Sequence, residues 1–170
     1  AIEVDRDFLR EFDPARDRAA FEAAWSARGQ GAVGEVNAFE PHYEGSPVVS
    51  GSQGAGGSAV GKHTFTARPG HHLAPAALSR GQNVYEALGP GFSLLAFGAQ
   101  RAAIDAFVQA AATAGVPLAV IEDTREGERA RYEAELVLVR PDQFVAWASQ
   151  HATDPASAEQ VLRTAIGQAG

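Results

Sequence analysis

Apolar residues fall into short blocks and helix-spaced positions from residue 92 onward. The block Phe92–Phe97, which is bounded by glycines, predicts a buried strand, and Leu118–Ile121 predicts a second one. Between them, apolar residues recur every three or four positions over Arg101–Ala114, which predicts a helix with one buried face. A last helix is predicted over Ala156–Ile166, after an Asp-Pro start signal.

The segment Leu136–Trp147 predicts a β-hairpin, because two apolar runs flank a Pro-Asp pair. Pro141 fixes φ at about −65° for the first central turn position, and Asp142 suits the second. A charged segment, Glu122–Glu133, precedes the hairpin and predicts at most one helical turn.

The order of these elements indicates an α/β fold. A right-handed crossover makes the first two strands parallel, and the hairpin adds two antiparallel strands. This is a thioredoxin-like βαβ-ββα sandwich, with a mixed central sheet and flanking helices. We expect Leu136–Val139 to run antiparallel to Phe92–Phe97, with helices Arg101–Ala114 and Ala156–Ile166 on one face.

Residues 1–40 predict a helical arm ahead of the domain. Asp13 is a suitable N-cap, Pro14 suits the first helical position, and Gly29 suits the end. The arm carries five large apolar residues, namely Phe8, Leu9, Phe12, Phe21 and Trp25. Burying each contributes roughly 1.5–3 kcal/mol, so we expect the arm to dock on a surface or to promote a homodimer.

The domain itself is expected over residues 41–170, with a flexible Gly/Ser loop at 51–61. A phosphate-binding loop requires Gly-Lys followed by Ser or Thr after a strand. Here Gly61 and Lys62 are followed by His63, and no apolar strand leads in. A surface loop is therefore the better interpretation.

Composition limits the classes of function. The 170 residues are 45% hydrophobic and 21% charged, which suits one soluble domain with some extra chain. A net charge of −7 with a single lysine, Lys62, argues against a nucleic-acid partner. Without an apolar run of about 20 residues or a signal pattern, we expect no membrane association and a cytoplasmic location.

Cysteine is absent, which excludes disulfides, zinc-thiolate sites and dithiol redox chemistry. Thioredoxins carry their reactive cysteines between the first core strand and the next helix, where Gly98-Ala99-Gln100-Arg101 lies here. They also place a cis-proline before the hairpin, where Tyr132–Glu135 contains no proline. A thioredoxin-type oxidoreductase is therefore excluded.

The five histidines do not predict a site. His71 and His72 are adjacent and diverge on either a strand or a helix, which is poor metal-ligand spacing. We interpret them as a surface or interdomain pair. No patterned carboxylate accompanies the other three, which are His42, His63 and His151.

Other candidate groups also favour structural roles. Glu122 and Asp123 resemble an acid pair, but a solvated strand end is the simpler interpretation. Tyr85 and Trp147 are interpreted as core or interface aromatics, and no nucleophile elbow is present. We therefore assign no catalytic, cofactor-binding or metal-binding residue.

Several short segments, in their order and spacing, resemble the C-terminal domain of FAD-dependent aromatic monooxygenases of the phenol hydroxylase and polyketide hydroxylase type. The matching segments are 43–47, 67–70, 83–89, 91–95, 115–118 and 136–147. The family usually carries an Arg and a Pro-His pair after the Arg-Pro-Gly, whereas this chain has His71, His72 and Pro75 followed by Ala76. Any flavin-domain contact made by that segment is thereby in question.

The resemblance implies a parent enzyme that hydroxylates an aromatic ring with FAD, NAD(P)H and oxygen. The flavin motifs of such enzymes lie in an N-terminal domain, and none occurs in this sequence. We therefore expect a fragment of a longer protein that itself binds no cofactor. Its partners would be the flavin domain and a second copy, and its role structural, in packing and dimerisation.

Two alternatives remain open. One is a free-standing thioredoxin-like module that binds a partner or a small ligand without redox activity. The other is an independent enzyme with a histidine–carboxylate site. The aromatic substrate and the choice between NADH and NADPH are not encoded in any motif of the chain.

Overall fold

The structure is a computed structural model that describes residues 13, 16–20, 22–23, 38–51, 56–61, 64–151 and 154–168. The chain divides into two compact units, residues 1–37 and 38–170. In the first unit, residues 18–20 and 22–23 are helical. The predicted apolar residues of the arm, Phe8, Leu9, Phe12, Phe21 and Trp25, lie outside the described residues.

The second unit opens with a small sheet. Strand β1 (Ala38–His42) pairs antiparallel with β2 (Ser58–Gly61). The predicted Gly/Ser loop at 51–61 therefore ends in a strand, which corrects that expectation for its last four residues. Glycine and serine carry no apolar alternation, so backbone pairing with β1 holds this strand without a sequence signal. Helix α1 (Val84–Ala87) follows, capped by the side chain of Asn83.

The central sheet has four strands in the order β4-β3-β5-β6. They are β3 (Phe92–Phe97), β4 (Leu118–Asp123), β5 (Leu136–Val139) and β6 (Val145–Ser149). Strand β3 runs parallel to β4 and antiparallel to β5, which in turn runs antiparallel to β6. The predicted thioredoxin-like arrangement is confirmed, including the antiparallel pairing of β3 with β5.

Two helices cover one face of this sheet, as predicted. They are α2 (Arg101–Ala114) and α3 (Pro155–Ala165). Side chains alternate along the strands, so Leu94 and Leu138 point into this helical layer, where Phe107 and Leu162 are fully buried. The Asp154 side chain accepts a hydrogen bond from the Ser157 amide at 2.9 Å, which begins α3 one residue before the predicted start.

The opposite face is covered by irregular chain. The segment 67–78, α1 and Tyr132 pack against Leu95 and Phe97 of β3. Tyr132 ends a 3-10 helix, Gly127–Tyr132, inside the charged segment where one helical turn was expected. Its hydroxyl donates to the Ala74 carbonyl at 2.6 Å, so the irregular segment is tied to the domain by a buried phenol.

The hairpin turn has the predicted residues at its centre. The Gln143 amide donates to the Arg140 carbonyl at 2.9 Å, which places Pro141 and Asp142 at the two central positions. Gln143 itself has φ +67°, so a non-glycine residue occupies the left-handed position of a three-residue hairpin loop. Among the described residues, no helix is long and apolar enough to cross a membrane.

Candidate functional site

The strand–helix junction that carries the redox cysteines in thioredoxins holds none here. Gly98 adopts φ +68° at the end of β3, and its amide donates to the Asp123 carbonyl at 2.9 Å. Arg101 in the first turn of α2 pairs with Asp105 at 2.9 Å and with Glu122 at 3.2 Å. The residues at this junction are therefore held by a backbone hydrogen bond and surface ion pairs, and none of the residues named here is a redox group.

A polar cluster lies instead beyond the outer edge of β6. The chain from Gly70 to Leu73 hydrogen-bonds to the start of β6, since the Gly70 amide donates to the Val145 carbonyl at 2.8 Å. On its other side, His71 forms an isolated antiparallel bridge with His42 at the end of β1. These backbone contacts cover the edge of the sheet and fix the side chains that project from it.

Glu44 is the centre of this polar cluster. The His71 ring donates from Nε2 to Glu44 Oε1 at 2.8 Å, and Arg68 Nη2 lies 2.5 Å from the same oxygen. The His42 ring stacks on His71, with centroids 5.0 Å apart and planes within 11°. The side chains of His71 and Glu44 are 10% and 11% exposed, so the hydrogen bond between them is largely withdrawn from water.

Gly70 allows Glu44 to approach. Its φ is +89°, and a Cβ built there would lie 2.9 Å from the Glu44 amide nitrogen. Real Cβ atoms do not come this close, so only glycine permits this packing of the Glu44 backbone on the 68–71 turn. The Tyr43 amide completes the contact by donating to the Gly70 carbonyl at 2.7 Å.

The partners of Glu44 keep its carboxylate ionised. The hydrogen bond from His71 lowers the pKa of Glu44 below its ordinary value, burial opposes this, and the Arg68 charge lowers the pKa further. Because the ionised carboxylate can only accept a hydrogen bond, His71 carries a proton on Nε2 and donates it to Glu44.

The structure separates the other histidines. His72 packs on different neighbours, with its ring 5.3 Å from Phe144 and 5.8 Å from Tyr85. His71 and His72 were interpreted as a surface or interdomain pair, and the surface alternative is wrong for His71, which is buried. Its carboxylate partner lies 27 residues away, beyond the reach of spacing arguments. His151 is exposed, and His63 lies outside the described residues.

The two acidic residues at the end of β4 also differ. Glu122 is exposed as expected, but the Asp123 side chain is only 5% exposed and lies 3.6 Å from Arg129. Burial alone would raise the pKa of Asp123, yet hydrogen bonds from Ser79 and Thr124 together with the Arg129 charge hold the pKa below its ordinary value. The solvated-end interpretation is therefore wrong for Asp123.

Arg129 is a further buried charged residue that the sequence pattern did not reveal. It donates to the Ala77 carbonyl at 2.6 Å and to the Thr124 carbonyl at 2.7 Å. With Asp123, it fixes the 77–79 turn against the end of β4. The aromatic interpretations hold, because Trp147 packs on Phe107 at 5.2 Å and the Tyr85 hydroxyl donates to the Leu73 carbonyl.

One signal for the edge cluster was present in the sequence, and it corrects the statement that no patterned carboxylate accompanies His42. His42 and Glu44 are two apart, so on an extended segment they project to the same side. The Arg68-Pro69-Gly70 turn that brings Arg68 and His71 to them has no such periodicity. The spacing of His42 and Glu44 predicts only that their side chains project in the same direction. That Arg68 and His71 join them could be seen only in the folded structure.

Comparison with known proteins identifies the domain. The model of a family described as "Aromatic-ring hydroxylase, C-terminal" matches residues 66–169. The FAD-dependent monooxygenase apdD of Emericella nidulans is 33% identical over 112 residues, which are 62% of this chain and 18% of that protein. The chain thus spans under a fifth of this relative.

Two of the similar solved structures align with most of this chain. Chromopyrrolic acid-soaked RebC with bound 7-carboxy-K252c aligns at a TM-score of 0.68 and 29% identity, over 94% of this chain and 30% of RebC. The flavin-dependent monooxygenase PieE in complex with FAD and substrate aligns at 0.61 and 26% identity, over 95% of this chain and 31% of PieE. Together with the family match, these similarities show that the chain belongs to the aromatic-ring hydroxylase C-terminal domain family.

Proposed function

We propose that this chain is the non-catalytic structural domain of an FAD-dependent aromatic monooxygenase. The observation that carries the proposal is the family match over residues 66–169. The relative apdD and the structural neighbour PieE are both flavin enzymes by name, and each is several times longer than the matched region. The remaining part of such a protein is where we place the flavin and the aromatic substrate.

We infer that this domain does not itself hold FAD, and the grooves lined by its described residues support this inference. Three grooves lined by them have volumes of about 150, 270 and 250 Å³. Sites for drug-sized ligands usually measure about 300–1,000 Å³, and FAD is larger than most drugs. The described part of the glycine-rich segment forms β2, which pairs antiparallel with β1, and is not the turn before a helix that cradles a pyrophosphate.

The α2 N-terminus is also unsuited to a dinucleotide phosphate. A helix N-terminus favours anions, but the first turn here carries Arg101, whose guanidinium is paired with Asp105 and Glu122. These two carboxylates would repel a pyrophosphate. We therefore propose that FAD is held by an N-terminal domain of the parent. From the family resemblance and the sequence composition, we further propose that the parent is cytoplasmic and that its flavin accepts hydride from NADH or NADPH.

The role left for this chain is to pack against the flavin domain and to contribute subunit contacts. The aromatic residues of the N-terminal arm support a role in subunit contacts, because Phe21 and Trp25 share one face of a predicted helix. Light scattering of the 170-residue chain should show a dimer that Trp25→Ala weakens. A strict monomer, with Trp25 fluorescing as a fully solvated indole, would contradict the dimerisation role.

The parent enzyme provides the decisive experiment. Expression of the complete reading frame that contains this chain should give a yellow protein with one FAD per polypeptide, which oxidises NADH or NADPH in the presence of an aromatic substrate. A complete reading frame that contains no flavin-binding domain would contradict the proposal and would favour a free-standing interaction module.

A further inference from the structure

We propose that His42, Glu44 and His71 form a binding site for Zn²⁺ or a chemically similar divalent transition metal. Each residue offers one ligand atom, and the three atoms lie within 4.8 Å of one another. No metal site was predicted from the sequence, because the adjacent His71 and His72 diverge and no patterned carboxylate was found near His42. The inference is independent of the flavin chemistry proposed for the parent.

The ligand set has the chemistry of a zinc site. Two imidazoles and one carboxylate are a known protein ligand set for Zn²⁺, which leaves a fourth position for water. Mg²⁺ and Ca²⁺ prefer all-oxygen ligands, so the two ring nitrogens favour a transition metal. The backbone is already in place, since His42 and His71 face each other in an antiparallel bridge.

His42 supplies a second observation. Its Nδ1 is buried and has no hydrogen-bond partner among the described residues. Most buried polar atoms are satisfied, so this unpartnered ring nitrogen in a residue of the cluster requires an explanation. A Cβ built at Gly61 would lie 3.5 Å from the opposite ring edge, at Cδ2, so Nδ1 faces away from β2. A metal ion on this nitrogen would satisfy it.

Three local changes would accompany binding. Arg68 must leave Glu44, which is feasible because its side chain is 56% exposed. The His71 proton must move from Nε2 or be released. Because the rings are stacked within 11°, one of them must turn about its terminal torsion to bring the metal close to both ring planes. Arg68 therefore competes with the metal for the Glu44 carboxylate.

The first test is a titration of the metal-free 170-residue chain with ZnCl₂ by calorimetry, and with CoCl₂ by visible absorption. We expect one ion per chain and the strong visible bands of four-coordinate Co²⁺. The absence of stoichiometric binding of either ion would overturn the proposal without reference to any variant.

Substitutions locate the ion. Glu44→Gln and His71→Ala should each weaken Zn²⁺ binding by more than the roughly 10- to 100-fold that loss of an outer-shell partner costs. His151→Ala is the matched control, since it removes an exposed histidine and should leave the affinity unchanged. Far-UV circular dichroism checks that each variant is folded.

Arg68→Gln is the most discriminating substitution, because it is expected to increase the affinity for Zn²⁺. Removing the competing charge should tighten Zn²⁺ binding by up to about fivefold, the worth of one exposed ion pair. Binding that survives Glu44→Gln and His71→Ala unchanged would overturn the proposed ligands. A weaker affinity in Arg68→Gln would place the ion away from the Glu44 carboxylate and would equally overturn them.

Discussion

The two faces of the central sheet are covered by different kinds of contact. On one face, α2 and α3 bury apolar side chains such as Phe107 and Leu162 against Leu94 and Leu138. On the other, irregular chain is held partly by buried polar groups, among them Arg129. The stability of the helical face therefore depends on close apolar packing. The stability of the irregular face depends in part on buried hydrogen bonds whose donors and acceptors must stay paired.

The largest loss of stability is expected on the helical face. Phe107 is fully buried, so Phe107→Ala leaves a cavity under α2 and should lower the free energy of unfolding by about 3–5 kcal/mol. Val108→Ala is the control, because Val108 is 43% exposed on the same helix and should change stability by less than about 1 kcal/mol. Urea unfolding measures both. Equal losses would contradict the assignment of the buried face.

On the irregular face, Arg129→Ala should lower the free energy of unfolding by about 3 kcal/mol. Its removal leaves the Asp123 carboxylate buried without its cation and the Ala77 carbonyl without its donor. Arg125→Ala is the matched control, because Arg125 is 39% exposed and 3.9 Å from Glu135, and it should cost at most about 1 kcal/mol. A loss for Arg129→Ala no larger than the control would show that polar contacts do not hold this face.

Gly70 at the edge of the sheet and Gly81 in the turn between Ala77 and Asn83 distinguish the cost of backbone strain from the cost of a close contact. Gly70→Ala and Gly81→Ala both place alanine at positive φ, which costs about 1–2 kcal/mol. Only at Gly70 does the new Cβ meet Glu44, so Gly70→Ala should cost about 1–3 kcal/mol more than Gly81→Ala. Thermal unfolding of the two variants side by side gives the difference. Equal costs would mean that Glu44 can retreat freely.

The pH dependence of stability provides the smallest expected effect. The pKa of Asp123 is lowered on folding, so its ionised form stabilises the fold above the ordinary value of 3.8. This contribution is lost as pH falls through the lowered folded-state pKa. Between pH 7 and pH 2, the unmodified chain should therefore lose more stability than Asp123→Asn does. If the free energy of unfolding fell equally with pH in the unmodified chain and in Asp123→Asn, Asp123 would make no pH-dependent contribution to stability.

This contrast also explains what the sequence could reveal. The helical face follows from spacing, because Ile104 and Phe107 repeat with the period of a helix, and Pro141 marks the hairpin. The alternation in β3 and β5 places their side chains on two buried faces. The order of the strands, the pairing of β3 with β5 and the common side of α2 and α3 were predictable for this reason.

The polar contacts were not predictable in this way. Arg129 bonds to Ala77 at a separation of 52 residues, and His71 to Glu44 at 27. No local periodicity encodes such pairs, since irregular segments are positioned by the surfaces that they cover. The strand β2 was missed for a similar reason, because its small residues show neither apolar alternation nor β-branching beyond Val60.

The central claim is that this domain supports a flavin enzyme without holding the flavin itself. The direct test is equilibrium dialysis of the purified 170-residue chain against FAD, followed by flavin absorbance after gel filtration. We expect no retained FAD, because the described grooves are too small and the helix N-terminus is flanked by carboxylates. One FAD retained per chain would contradict the claim.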